Sequence, residues 1–264
     1  MGGFEVIDRR FEGLYERALQ VLGADYRVAS VGLSGSVARG TADEWSDLDV
    51  EVVAHAEHHA SFLADWQQWL AMITPTVFAR TPIAPFILNT VTDDGLTLDI
   101  AVWSGKAMEF PASSQYTVGL LSGARFDKVG AALEYAVAEQ LRGLAGPFVS
   151  LIQREEHVRH LMGVPHLIGL ITTVFLAETE LPQPGKHWNS TFTQEQRDAI
   201  AALPPVRATR EDIIAFGLGV ARLIIDRARP LYPHFGLEWP FALAAVTSAR
   251  LRSELGIETE QWLH

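Results

Sequence analysis

Apolar residues recur at helical spacing at Ile7, Phe11, Leu14 and Ala18, which predicts an amphipathic helix over residues 6–22. The next run, Arg27 to Leu33 (RVASVGL), is rich in β-formers and predicts a strand. Leu48 to Val53 predicts a second strand. Phe62, Leu63, Trp66, Leu70 and Ile73 mark a long helix that ends before Pro75. Phe86 to Thr92 and Leu96 to Trp103 then read as two strands joined by Asp93-Asp94-Gly95. Asp-Gly between such runs is a strong hairpin signal.

Beyond Gly105 the period changes. Helical spacing dominates at 131–144, 153–175 and 209–232, punctuated by Pro182-Gln183-Pro184-Gly185 and Pro204-Pro205. The expected fold is α+β. An N-terminal domain over residues 1–110 carries a short mixed twisted sheet with helices, and residues 111–264 form an all-helical C-terminal domain.

Composition narrows the setting. A chain of 264 residues buries enough surface to fold without staples, and the absence of cysteine excludes disulfides and thiolate zinc sites. The most apolar stretch, Leu161 to Ala177, is interrupted by Pro165 and His166 and falls short of the roughly 18 apolar residues that a span needs. No membrane segment is expected. The start, Met-Gly-Gly-Phe-Glu, lacks the basic and apolar regions of a leader. A cytoplasmic location is the expectation. Lys plus Arg number 21 against 32 Asp plus Glu, a formal net charge of −11. That sign argues against a nucleic-acid partner, which calls for a basic footprint; it suits a cationic partner and equally serves solubility alone.

The candidate chemistry lies in the stretch from Gly32 to Glu51 (GLSGSVARGTADEWSDLDVE). Asp47 and Asp49 are two apart at a strand start, so their side chains share a face while Leu48 and Val50 turn to a core. Adjacent carboxylates repel unless a cation lies between them, and magnesium prefers such hard oxygens. Asp99 sits inside another β-run, where Asp is disfavoured by propensity, and a metal site on a neighbouring strand would account for it. Gly35 permits close backbone approach to a ligand. Ser36 offers a hydroxyl at the opening of a helix, and Arg39 a planar cation suited to phosphate oxygens.

Gly35-Ser36 followed by Asp47-Leu48-Asp49, with Asp99 on a later strand, resembles the DNA polymerase beta-like nucleotidyltransferase superfamily. The wording Gly-Ser-Val-Ala-Arg-Gly is similar to aminoglycoside and lincosamide nucleotidyltransferases and to minimal nucleotidyltransferase antitoxins. The resemblance covers about Val28 to Trp103. It implies an adenylyltransferase in which Asp47, Asp49 and Asp99 are catalytic and hold two magnesium ions, while Gly35, Ser36 and Arg39 bind ATP. The implied acceptor is a hydroxyl-bearing, cationic small molecule such as an aminoglycoside, which would make the activity antibiotic-inactivating. The alternative is adenylylation of a protein, or an antitoxin-like regulatory role.

Further residues invite weaker readings. Lys186, in a Pro-Gly loop, can reach the triphosphate from the helical domain, and Trp188 can stack on a base. Trp45 can line the acceptor site. Glu51 shares the Asp47/Asp49 face and can join the metal network, although one step further along the strand it is expected to meet solvent. Glu155, Glu156, Glu178 and Glu180 can pair with ammonium groups of an acceptor. His55, His58, His59, His157, His160 and His166 read as surface or packing residues.

Overall fold

The computed structural model describes residues 9–80, 87–105, 128–179 and 188–263. The chain divides into two compact units, Met1–Tyr116 and Thr117–His264.

The first unit runs α1 (Arg10–Gly23), β1 (Val28–Leu33), α2 (Gly35–Arg39), β2 (Leu48–Ala54), α3 (His59–Ala64), α4 (Trp66–Ile73), β3 (Thr76–Arg80), β4 (Ile87–Thr92) and β5 (Thr97–Ser104). The strands form one mixed sheet in the order β1-β2-β5-β4-β3. Only β2 and β5 pair in parallel. Strict alternation explains the one-sided core. Leu48, Val50, Val52 and Ala54 of β2, with Leu98, Ile100 and Val102 of β5, are fully or almost fully buried. Phe11, Leu14, Ala18 and Leu22 of α1 and Trp69, Leu70 and Ile73 of α4 join the same cluster. Each Val, Leu, Ile or Phe among them that is removed from water contributes about 1.5–3 kcal/mol.

Two local expectations need correction. The apolar run from Phe62 to Ile73 is two helices, broken at Asp65. That residue's carboxylate accepts a hydrogen bond from Arg27 Nη1 at 2.7 Å, while Trp69 Nε1 donates across the break to the Phe62 carbonyl at 3.0 Å. Thr76–Arg80, to which the sequence pattern assigned no element, is an edge strand paired with β4. The Asp93-Asp94-Gly95 hairpin is present, with Gly95 at φ 87° and Thr92 N–H bonded to the Leu96 carbonyl at 2.9 Å.

The second unit is helical: α5 (Val129–Gly143), a π-helical turn (Leu144–Phe148), α6 (Val149–Gln153), α7 (His157–Met162), α8 (Val164–Glu178), α9 (Trp188–Thr191), α10 (Gln194–Ala201), α11 (Arg210–Ala228), α12 (Leu231–His234), α13 (Phe241–Leu255) and α14 (Glu260–Leu263). The mixed sheet with helices followed by a helical region agrees with the α+β expectation. The expected single helix over 153–175 is interrupted, first at 154–156, where Glu155 takes φ 56°, and again at Gly163. By length and composition His157–Glu178 is long and apolar enough to cross a membrane, which corrects the expectation that the stretch around Leu161 to Ala177 falls short. Its second half is core: α8 packs on α5 and α11, and Leu170, Ile171, Val174 and Phe175 are buried.

Gly217 of α11 marks a close packing contact. A Cβ there would stand 2.3 Å from Phe148 Cε2, and Phe148 is itself buried. Gly217→Ala gains helix propensity worth about 1 kcal/mol. It also overpacks an aromatic edge, which costs about 1–3 kcal/mol. The overpacking is expected to win, lowering the denaturant midpoint without changing the slope of the transition.

Candidate active site

The site is built by strand register. Asp49 and Asp99 are direct partners across the parallel β2–β5 pair. Their neighbours Leu48, Val50, Leu98 and Ile100 fill the core, so both carboxylates emerge on the opposite face, half-buried. Asp47 stands one residue ahead of β2 and is exposed. A tight turn aims it. The buried Ser46 hydroxyl donates to Asp43 Oδ1 and accepts from the Asp43 N–H, both at 2.9 Å, and Trp45 N–H donates to the same oxygen at 3.2 Å.

One carboxylate oxygen from each of Asp47, Asp49 and Asp99 lies within 4.8 Å of the other two. Among the described residues this is the group of three or more acidic or imidazole side chains placed to share a metal ion. An all-oxygen set of this kind suits magnesium or another hard divalent cation.

The glycine corner lies directly against this cluster. Gly35 takes φ 60°, and a Cβ there would stand 1.7 Å from Asp49 Oδ2 and 2.5 Å from its Cγ. Both the backbone conformation and the space therefore require glycine. Ser34 N–H donates to the Asp49 carbonyl at 3.0 Å, tying the corner to β2. The short α2 then closes at Gly40, with φ 67° and its N–H on the Val37 carbonyl at 3.2 Å. Ser36 is half-buried at the opening of α2, and Arg39 is exposed at its end.

Electrostatics single out Asp49. Burial, then the charges of Asp47 and Asp99, push its carboxyl up to about 7, against the opposing pull of the Arg39 cation.

Sequence reasoning missed two neighbours. Asn89 on β4 lies opposite Asp99, and Arg80 on β3 lies opposite Asn89. Asp49, Asp99, Asn89 and Arg80 thus form one row across four strands. The Asn89 signal lay inside a run read only as a strand, and Arg80 ends the strand that went unrecognised. Glu51, expected in solvent, accepts a hydrogen bond from Trp103 Nε1 at 2.6 Å on this same face. Trp45 is half-buried. Lys186 lies outside the described residues, and Trp188 begins α9. His160 is buried in the helical unit, and His58 meets Tyr26 edge-on at 5.2 Å.

The raised Asp49 carboxyl has a signed consequence for the metal-free protein. The unfolded chain ionises this group near 3.8 and the folded chain near 7. Between those values unfolding releases a proton, so stability falls as pH rises through the window and levels off above it. Asp49→Asn removes that penalty. Discounting for partial solvation, the variant is expected to be more stable than the parent by about 1–2 kcal/mol at pH 8 without divalent ions. The gap should close by pH 4. Denaturant melts at both pH values check this, and a variant less stable at pH 8 would refute it.

Residues 16–103 match the family model described as a nucleotidyltransferase domain. Among solved structures, the chain is similar to an aminoglycoside 6-adenyltransferase from Bacillus subtilis at 11% identity and a TM-score of 0.36, over 90% of this chain and 95% of that one. A likeness at that level carries no conclusion about the site or its acceptor. No curated protein matches the chain. With the acidic cluster and the Gly35 corner both inside the matched segment, this chain carries a nucleotidyltransferase domain of the DNA polymerase beta-like kind.

Proposed function

We propose that the protein moves a nucleoside monophosphate, AMP from ATP, to a hydroxyl group of a small cationic molecule, with magnesium as the required metal. One observation carries this reading. Three carboxylates converge on one sheet face, and one of them packs against a glycine corner where no side chain fits.

The donor set fits two magnesium ions: three hard carboxylates, a raised Asp49 that gains from a nearby cation, and an exposed side left for phosphate oxygens. When bound, such ions offset the charge of carboxylates and triphosphate and so favour in-line displacement at the α-phosphorus. Asp47 and Asp49 would hold the ions. Asp99, on the neighbouring strand, would be the third ligand and would take up the acceptor's proton. The acceptor oxygen bonds to the α-phosphorus as the bond to pyrophosphate breaks. Gly35 and Ser36 receive the β- and γ-phosphates through backbone N–H groups and a hydroxyl, and Arg39 adds its cation. Lys186 is proposed as a further triphosphate contact.

For the acceptor, an aminoglycoside is the leading class, because a net charge of −11 draws cations and favours their encounter. The acidic residues of the helical unit that could pair with it are partly engaged elsewhere. Glu156 binds Arg159 at 2.8 Å, Glu178 binds Gln196 at 2.7 Å and Arg227 at 3.4 Å, and Glu180 lies outside the described residues.

The test is a magnesium-dependent screen of aminoglycosides and lincosamides with each nucleoside triphosphate, read by mass spectrometry. Addition of AMP to a small molecule is the expected result, and its KM should rise with ionic strength because screening shortens the reach of exposed charges. Modification of a co-expressed protein alone would overturn the small-molecule reading, and no transfer under any condition would overturn nucleotidyl transfer itself.

Arg39→Ala supplies a separate check. Loss of a charge-assisted contact to the β- and γ-phosphates should weaken ATP binding by about tenfold or more. AMP, which lacks those phosphates, should lose far less. Calorimetric titration with magnesium measures both, and equal losses would place Arg39 elsewhere.

A further inference from the structure

Glu51 lies two residues beyond Asp49 on β2, so it rises from the same sheet face about 7 Å further along the strand. Strand register sets its neighbours. It pairs with Gly32 on β1 and with Ala101 on β5, and neither carries a side chain large enough to cover it. A Cβ built on Gly32 would meet no heavy atom within 4 Å, so the face is open beside the carboxylate. Trp103, two residues beyond Ala101, shares this face, and its Nε1 donates to Glu51 Oε1 at 2.6 Å.

The charge of Glu51 lacks the compensation that comparable groups receive. The half-buried or buried carboxylates of Asp25, Glu139, Glu178 and Asp212 each meet an arginine within 3.4 Å. Glu51 is half-buried too, yet among the described residues its bond comes from an indole N–H, which donates but carries no charge. An ionised carboxylate drawn partly out of water is costly unless a cation pairs with it. Nor does Glu51 belong to the metal cluster, whose close-set oxygens come from Asp47, Asp49 and Asp99. A hard divalent ion calls for several oxygens, whereas a single carboxylate can pair with an ammonium group.

Building on the transfer reading above, we propose that Glu51 selects the acceptor by binding an ammonium group about 7 Å from the hydroxyl that reacts at the metal cluster. Trp103 positions the carboxylate. With Oε1 held by the indole, Oε2 is left to accept from the ammonium. The amino group of a nucleotide base is a poorer occupant, because a neutral donor leaves the charge of Glu51 uncompensated.

The test uses two ring probes of similar size. 2-Deoxystreptamine bears ammonium and hydroxyl groups, and myo-inositol bears hydroxyls alone. Each is titrated into the full-length protein labelled with 5-fluorotryptophan, at saturating magnesium so that the metal cluster is occupied. Fluorine NMR follows the Trp103 resonance, identified by its absence in Trp103→Phe. A saturable shift with 2-deoxystreptamine is expected, with a Kd of about 1 mM or tighter, and myo-inositol should bind about tenfold more weakly or not at all. Glu51→Gln keeps an oxygen for the indole N–H but loses the charge, and should weaken 2-deoxystreptamine by about tenfold. The comparison of the two probes stands even if that variant fails to fold. Equal binding of both probes, parental binding in Glu51→Gln, or a Trp103 shift that only magnesium-ATP produces would overturn the proposal. AMP transfer without any response at Trp103 would sink this subsite alone, whereas a charge-dependent response without AMP transfer would leave the subsite standing and sink the transfer reading.

Discussion

At an effective dielectric of about 20, two ionised carboxylates at the 4.8 Å limit of this cluster repel by about 3 kcal/mol. Asp47, Asp49 and Asp99 form three such pairs. Water screens the pairs that involve the exposed Asp47, so the penalty is largest between Asp49 and Asp99. The metal-free unit lowers the cost by keeping a proton on its most enclosed member: burial first, then the charges of Asp47 and Asp99, push the Asp49 carboxyl up to about 7. The remaining support comes from the opposite face of the same strands, where Leu48, Val50, Leu98 and Ile100 are buried. The unfavourable face is held in place by the favourable one, with a period of two residues separating them.

That period is also why so much of the site was legible in the sequence. Alternation around Asp49 and Asp99 assigns both to the face opposite the core before any pairing is known. The hairpin between Thr92 and Leu96 was readable because Gly95 supplies the positive φ that its turn requires. What escaped was non-local or weakly patterned. The Glu51–Trp103 bond joins residues 52 positions apart, and no local rule links them. β3 is five residues at a sheet edge, too short for a convincing alternation. The break at Asp65 depends on Arg27, 38 residues earlier. The sequence marked Gly35 as a point of close backbone approach to a ligand; its crowding against Asp49 is a tertiary fact that only the fold reveals.

The helical unit was legible only in outline, for a different reason. Its helices carry apolar residues on broad faces, so helical spacing fixes their existence but not their interruptions. Pro147 sits inside a π-helical turn rather than ending the helix, and Glu155 adopts a conformation that favours glycine. The turn around Pro147 is packed, with Leu144, Ala145 and Phe148 buried. α13, from Phe241 to Leu255, was passed over because its apolar positions are interleaved with Thr247, Ser248, Arg250 and Arg252. Thr247 is nevertheless buried, its hydroxyl donating to the Leu243 carbonyl at 2.8 Å.

The parallel pairing of β2 with β5 has one more consequence. Side chains alternate, so a slip of one residue would turn Asp99 into the core and present Ile100 beside Asp49. An unpaired carboxylate forced into an apolar interior costs several kcal/mol, enough to unfold a marginal domain. Two strands rich in Val, Leu and Ile would otherwise tolerate several alignments. The same charges that strain the native arrangement therefore proofread it during folding, because misaligned versions have nowhere wet to put them.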